Sequence, residues 1–101
     1  VFNKNRKLQV NTPKRHLKGE KMNKTWEKVL EYASSPLEGT MSRKIREGVS
    51  IQINEGKIYK KAVLFLGEEF VRITEEDEGQ KLNTYYDWTS IGSIRTYSNS
   101  K

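Results

Sequence analysis

Val49-Ser50-Ile51-Gln52-Ile53 leads into Asn54-Glu55-Gly56-Lys57, then Ile58-Tyr59-Lys60-Lys61-Ala62-Val63-Leu64-Phe65-Leu66, Gly67, and Phe70-Val71-Arg72-Ile73. The first run alternates apolar with polar residues, the period of a strand that buries one face. Asn54 to Lys57 reads as a turn. The second run starts in alternation and becomes apolar on both faces from Ala62 to Leu66. One strand over 58–66, covered on one side early and on both sides late, is what a small and strongly bent barrel requires.

Around this centre the chain is short and polar. Its 101 residues suit one domain, or a smaller domain with a tail, and 34% apolar against 32% charged residues allow only a compact core. The absence of cysteine excludes disulfides, cysteine-held zinc and thiol chemistry. No apolar run is long enough for a membrane helix, and no apolar segment follows the basic N-terminus as in a signal peptide. A soluble, cytoplasmic protein is the expectation.

The net charge of +6 is unevenly spread. Residues 1–24 hold Lys4, Arg6, Lys7, Lys14, Arg15, Lys18, Lys21 and Lys24 against Glu20 alone, a surplus of seven, so the remainder is net −1. Residues 1–22 lack periodicity and contain Pro13 and Gly19, which predicts a flexible basic arm, with residues 23–101 as the folded domain. Met22 stands where the arm meets the structured part, and one hypothesis is that the natural protein starts there, with the residues before it an upstream extension.

Residues 23–34 predict a helix. Trp26, Val29, Leu30 and Ala33 form one apolar stripe, Asn23 or Thr25 offers the N-cap, and Pro36 stops the run. Residues 35–48 read as a connector. After Ile73 the acidic run Glu75 to Gly79 is expected as a hairpin loop. Leu82, Thr84, Tyr86 and Trp88 then share one face of a fourth strand, and Ser93 to Tyr97 form the last. The sum is a mainly β (α+β) protein, an N-terminal helix packed on a small five-stranded antiparallel barrel of Sm-like or SH3-like build.

That order resembles the Sm-like family of helix-capped barrels over residues 23–98. Val49 to Lys57 is similar to the family's first strand and glycine turn, Phe70-Val71-Arg72-Ile73 to its third strand, and Ile91-Gly92-Ser93-Ile94 to the turn before its last. The resemblance implies the barrel and ring-like self-association. At the positions where the family contacts base or phosphate this chain has Gly67-Glu68-Glu69 and Asp87-Trp88, so the family's RNA site is not implied.

Candidate binding residues come in two groups. Lys4, Arg6, Lys7, Lys14, Arg15 and Lys18 of the arm, with Arg43, Lys44 and Arg46 of the connector, can track a phosphate backbone; a solvated tail is the plain alternative. Tyr85, Arg95 and Tyr97 are expected on outward faces of the last two strands, as a stacking platform for single-stranded bases or as a subunit interface. Trp26, Trp88 and Phe65 are in phase with apolar neighbours and are read as core.

No catalytic or metal constellation emerges. His16 is the sole histidine, the acidic run lacks calcium-loop spacing, and no phosphate-cradling glycine loop occurs. The expectation is a non-catalytic module without cofactor or small-molecule substrate. It would bind RNA or single-stranded DNA and form a homo-oligomer through edge strands. The alternative is a protein–protein adaptor or regulatory protein without nucleic-acid binding.

Overall fold

The computed structural model describes residues 17–99, with side chains from Lys24 onward. Helix α1 (Leu17–Tyr32) is followed by β1 (Ser34–Pro36), β2 (Arg43–Ile45), β3 (Val49–Ile53), β4 (Ile58–Tyr59), β5 (Val63–Leu66), β6 (Phe70–Asp77) and β7 (Gln80–Asp87). A 3₁₀ turn (Trp88–Ser90) and β8 (Ile94–Ser98) complete the described residues. The strands pair antiparallel in two sheets, one ordered β1-β2-β5-β6-β7 and the other β4-β3-β8. The described residues are therefore mainly β with one α-helix, and their strands form two sheets where one five-stranded barrel was expected.

The division follows from a phase break. Tyr59, Ala62 and Leu64 are all buried. Ala62 to Leu64 keeps the two-residue period, but Tyr59 to Ala62 does not, so 58–66 cannot be one straight strand. The chain bends at Lys60 to Ala62 and passes from the smaller sheet to the larger. The backbone N–H of Ile45 bonds the Ala62 carbonyl at 3.1 Å and holds that bend against β2.

Three further boundaries differ from expectation. α1 begins six residues before residue 23, runs through Gly19, and ends at Tyr32 rather than at 34. Its end is set by Ser34, whose hydroxyl donates to the Leu30 carbonyl at 2.6 Å as the chain turns extended. The connector holds the β1–β2 hairpin, closed by Leu37 N–H to Ser42 O at 3.0 Å and Thr40 N–H to Leu37 O at 3.1 Å. The acidic segment is mostly strand. Only Glu78 and Gly79 turn, at φ 53° and 83°, the left-handed pair that a two-residue hairpin needs.

One core joins both sheets and the helix. Leu30 of α1 and Ala33 just past its end join Ile51 and Ile53 of the smaller sheet and Leu64, Val71 and Ile73 of the larger. Trp88 is 1% exposed, and its indole N–H donates to the Gly67 carbonyl at 2.9 Å, so its one polar atom is satisfied. The helix packs on this tryptophan's turn and on β1. Trp26 is half-buried against the same core, so both tryptophans fill the structural role expected of them. Phe65 does not; it lies half-buried on the opposite face of β5 from Leu64.

Two bonds cross between the sheets. The Tyr59 and Tyr86 hydroxyls are 2.9 Å apart, and Lys57 Nζ sits 3.0 Å from a Glu75 carboxylate oxygen. Burial, followed by the bond to Tyr59, pushes the Tyr86 phenol well above its ordinary pKa. Among the described residues no helix is long and apolar enough to cross a membrane.

Candidate nucleic-acid interface

β6 decides the site, because its two faces differ completely. Val71 and Ile73 point inward and are fully buried. Phe70, Arg72, Thr74 and Glu76 therefore point outward, by the two-residue alternation of a strand. Register places Phe65 of β5 opposite Arg72, and Arg72 opposite Tyr85 of β7. Three neighbouring strands thus put Phe65, Arg72 and Tyr85 in one row across the outer face.

The row is packed. The Arg72 guanidinium carbon lies 5.1 Å from the Phe65 ring centroid, within cation–π range. Phe70 sits one step along the strand, its ring centroid 6.1 Å from Phe65 and 5.7 Å from Tyr85, the latter edge-on at 61°. Phe70 is 36% and Tyr85 60% exposed, so ring surface stays open to a further stacking partner. Arg72 Nε is buried and has no hydrogen-bond partner among the described residues.

Gly67 ties this cluster to the core. Its N–H donates to the Phe70 carbonyl at 2.8 Å, while its own carbonyl receives the Trp88 indole. A methyl group on Gly67 would stand 3.0 Å from that Phe70 oxygen and 3.4 Å from both phenylalanine rings. A side chain at this position would push the Phe70 carbonyl aside by a few tenths of an ångström.

Beyond the platform the same face runs into a cleft of about 680 Å³. Lys44, Val63, Thr74 and Asn83 form the next row, with Thr74 Oγ1 donating to Asn83 Oδ1 at 2.6 Å; Glu76 opposite Lys81 follows. Lys44, Arg46, Lys60, Lys61 and Lys81 line the cleft against Glu47 and Glu76. Five cations facing two carboxylates make it locally basic although the folded part is near neutral.

The expected binding residues are dispersed by this geometry. Tyr85 is on the platform, and Lys44 and Arg46 line the cleft. Arg43 is spent elsewhere. Its Nε donates to Ser34 Oγ at 2.8 Å, and its Nη2 to the carbonyls of Glu31 and Ser34, each at 3.2 Å. It therefore caps the end of α1, where carbonyls favour a cation. Arg95 and Tyr97 lie on β8 in the smaller sheet, paired with β3 and not with β7. Tyr97 donates to Gln52 Oε1 at 2.8 Å. Lys18 falls within α1, and Lys4, Arg6, Lys7, Lys14 and Arg15 lie outside the described residues.

Phe65, Phe70, Arg72, Lys60, Lys61 and Lys81 escaped the sequence reading. The alternation Phe70-Val71-Arg72-Ile73 already marks Arg72 as outward once Val71 and Ile73 are assigned inward. Among the described residues no group of three or more His, Asp or Glu could hold a metal ion. Asp87 serves structure: its carboxylate accepts the backbone N–H and hydroxyl of Thr89, at 3.0 and 2.9 Å, and those bonds hold its pKa below the usual aspartate value. No family model, curated protein or solved structure matches this chain.

Proposed function

We propose that the protein is a non-catalytic module that binds single-stranded nucleic acid, RNA or DNA, across the outer face of its larger sheet. In this reading the two sheets are a small split barrel of SH3-like or Sm-like build, capped by α1. The observation that carries the proposal is the continuity of the Phe65–Arg72–Tyr85 row with the basic cleft. Bases have stacking faces and an evenly charged backbone, so an extended strand suits a surface with aromatic rings at one end and cations at the other.

Fluorescence anisotropy with labelled uridine and thymidine oligomers tests this at two salt concentrations. Tyr85→Ala and Arg72→Ala are each expected to weaken binding by about 1–3 kcal/mol, near tenfold or more. Lys60→Ala with Lys61→Ala should instead flatten the salt dependence. Failure of the full chain to bind either oligomer at low salt would overturn the proposal and leave the protein–protein adaptor reading.

A further inference from the structure

We propose that the free edge of β7 pairs with the same edge of a second copy, joining two five-stranded sheets through a two-fold axis at Thr84. At eight residues β7 is the longest strand with an open side among those described, since it is the last strand of its sheet. The phase of its backbone is fixed at both ends. A two-residue turn makes Asp77 and Gln80 the closing hydrogen-bonded pair, and Trp88 N–H bonds the Glu69 carbonyl at 3.0 Å. Even-numbered residues therefore bond β6, and the backbone groups of Lys81, Asn83, Tyr85 and Asp87 face the open side.

An antiparallel pairing about Thr84 sets Lys81 opposite Asp87 of the second copy, Asn83 opposite Tyr85, and Leu82 opposite Tyr86. Symmetry makes each contact twice. The two charged positions of the strand thereby meet opposite charge, whereas Lys81 on an edge ordinarily repels a foreign strand. Leu82, 48% exposed on the core-side face, gains the half-buried Tyr86 as an apolar neighbour. The other open edges lack these features: β1 is three residues long and ends in Pro36, β4 has two residues, and β8 carries Arg95 with no acidic residue to meet it. If the nucleic-acid reading holds, the pairing also sets two aromatic rows side by side on one face, because the axis is perpendicular to the sheet.

Sedimentation of the full chain without nucleic acid, over about a thousandfold range of concentration, tests the pairing apart from any ligand. A monomer–dimer equilibrium is expected. Lys81→Glu, which opposes like charges twice, should raise the dimer Kd about tenfold or more, and adding Asp87→Lys should restore it. Asn83→Pro removes an outward N–H together with the exposed Thr74–Asn83 side-chain bond, leaves the bonds of β7 to β6 in place, and should give a folded monomer by circular dichroism. A wild-type chain that stays monomeric throughout, or a dimer indifferent to both Lys81→Glu and Asn83→Pro, would overturn the inference. If the double variant fails to fold, Asn83→Pro decides alone.

Discussion

On the larger sheet the outward residue at the middle of the row is Arg72; on the smaller sheet the corresponding central strand presents Gln52. Gln52 is fully engaged. Its amide nitrogen donates to the Gly56 carbonyl at 2.9 Å and its oxygen receives the Tyr97 hydroxyl at 2.8 Å. Arg72 stacks its guanidinium on Phe65 and keeps a buried Nε with no hydrogen-bond partner among the described residues. Both strands bury their alternate residues completely, Ile51 against Val71 and Ile53 against Ile73 in equivalent roles. The sheets thus share one interior logic and differ in what their exteriors leave unsatisfied. Gln52 is bonded within its own sheet, whereas the Arg72 Nε finds no hydrogen-bond partner among the described residues.

The largest expected effect tests what the sheets share. Trp88→Ala should cost about 3–5 kcal/mol of unfolding free energy in urea, since it empties the corner where α1, Gly67 and both sheets meet. A loss below about 1 kcal/mol would mean that the corner relaxes around the vacancy. The comparison itself is sharpened by an apolar replacement of similar length at each central position. Gln52→Met removes two satisfied bonds and should cost about 1 kcal/mol, while Arg72→Met relieves an unmet donor and should be neutral or stabilising. Reversal of that order would break the contrast between the two faces.

The smallest effect concerns the bond between the sheets. Because Tyr86 has its pKa raised by burial and by the Tyr59 hydroxyl, the folded state holds its proton more tightly than the unfolded chain. Stability from this group is complete below the ordinary tyrosine value of about 10 and declines as pH rises above it. Thermal melts from neutral to alkaline pH should show this decline, and Tyr86→Phe should flatten it. An unchanged slope in that variant would shift the alkaline loss to Lys57, whose pKa is raised by Glu75.

Strict alternation at Val49 to Ile53 and at Phe70 to Ile73 made both central strands legible, as did the helix stripe through Leu30 and Ala33. The crossing lies at Lys60-Lys61, a polar pair that already breaks the two-residue period between Tyr59 and Ala62. The run Ala62 to Leu66 that follows, however, is apolar throughout and shows no phase of its own against which to read the break. The β1–β2 hairpin was hidden for the opposite reason. Its six paired residues, Ser34 to Pro36 and Arg43 to Ile45, carry only one large apolar side chain. Part of the site was readable and part was not. Tyr85 was visible as an outward aromatic, but its true neighbours Arg72 and Phe70 precede it in chain and meet it only through β6–β7 register. Tyr97 and Arg95 are close to Tyr85 in sequence, yet the 3₁₀ turn at Trp88 delivers them to another sheet.

β3 is held on one side by β4, a few residues away, and on the other by β8, which pairs Val49 with Ser98 and Ile53 with Ile94. Asn54 reaches across the same span, its side chain accepting from Gly92 N–H at 2.7 Å and donating to the Ser90 carbonyl at 2.9 Å. During translation this flank of β3 must wait until the final strand clears the ribosome. Completion of the smaller sheet thereby waits on synthesis of β8, and a nascent chain stalled before Ile94 carries a bare strand edge for chaperones to shield.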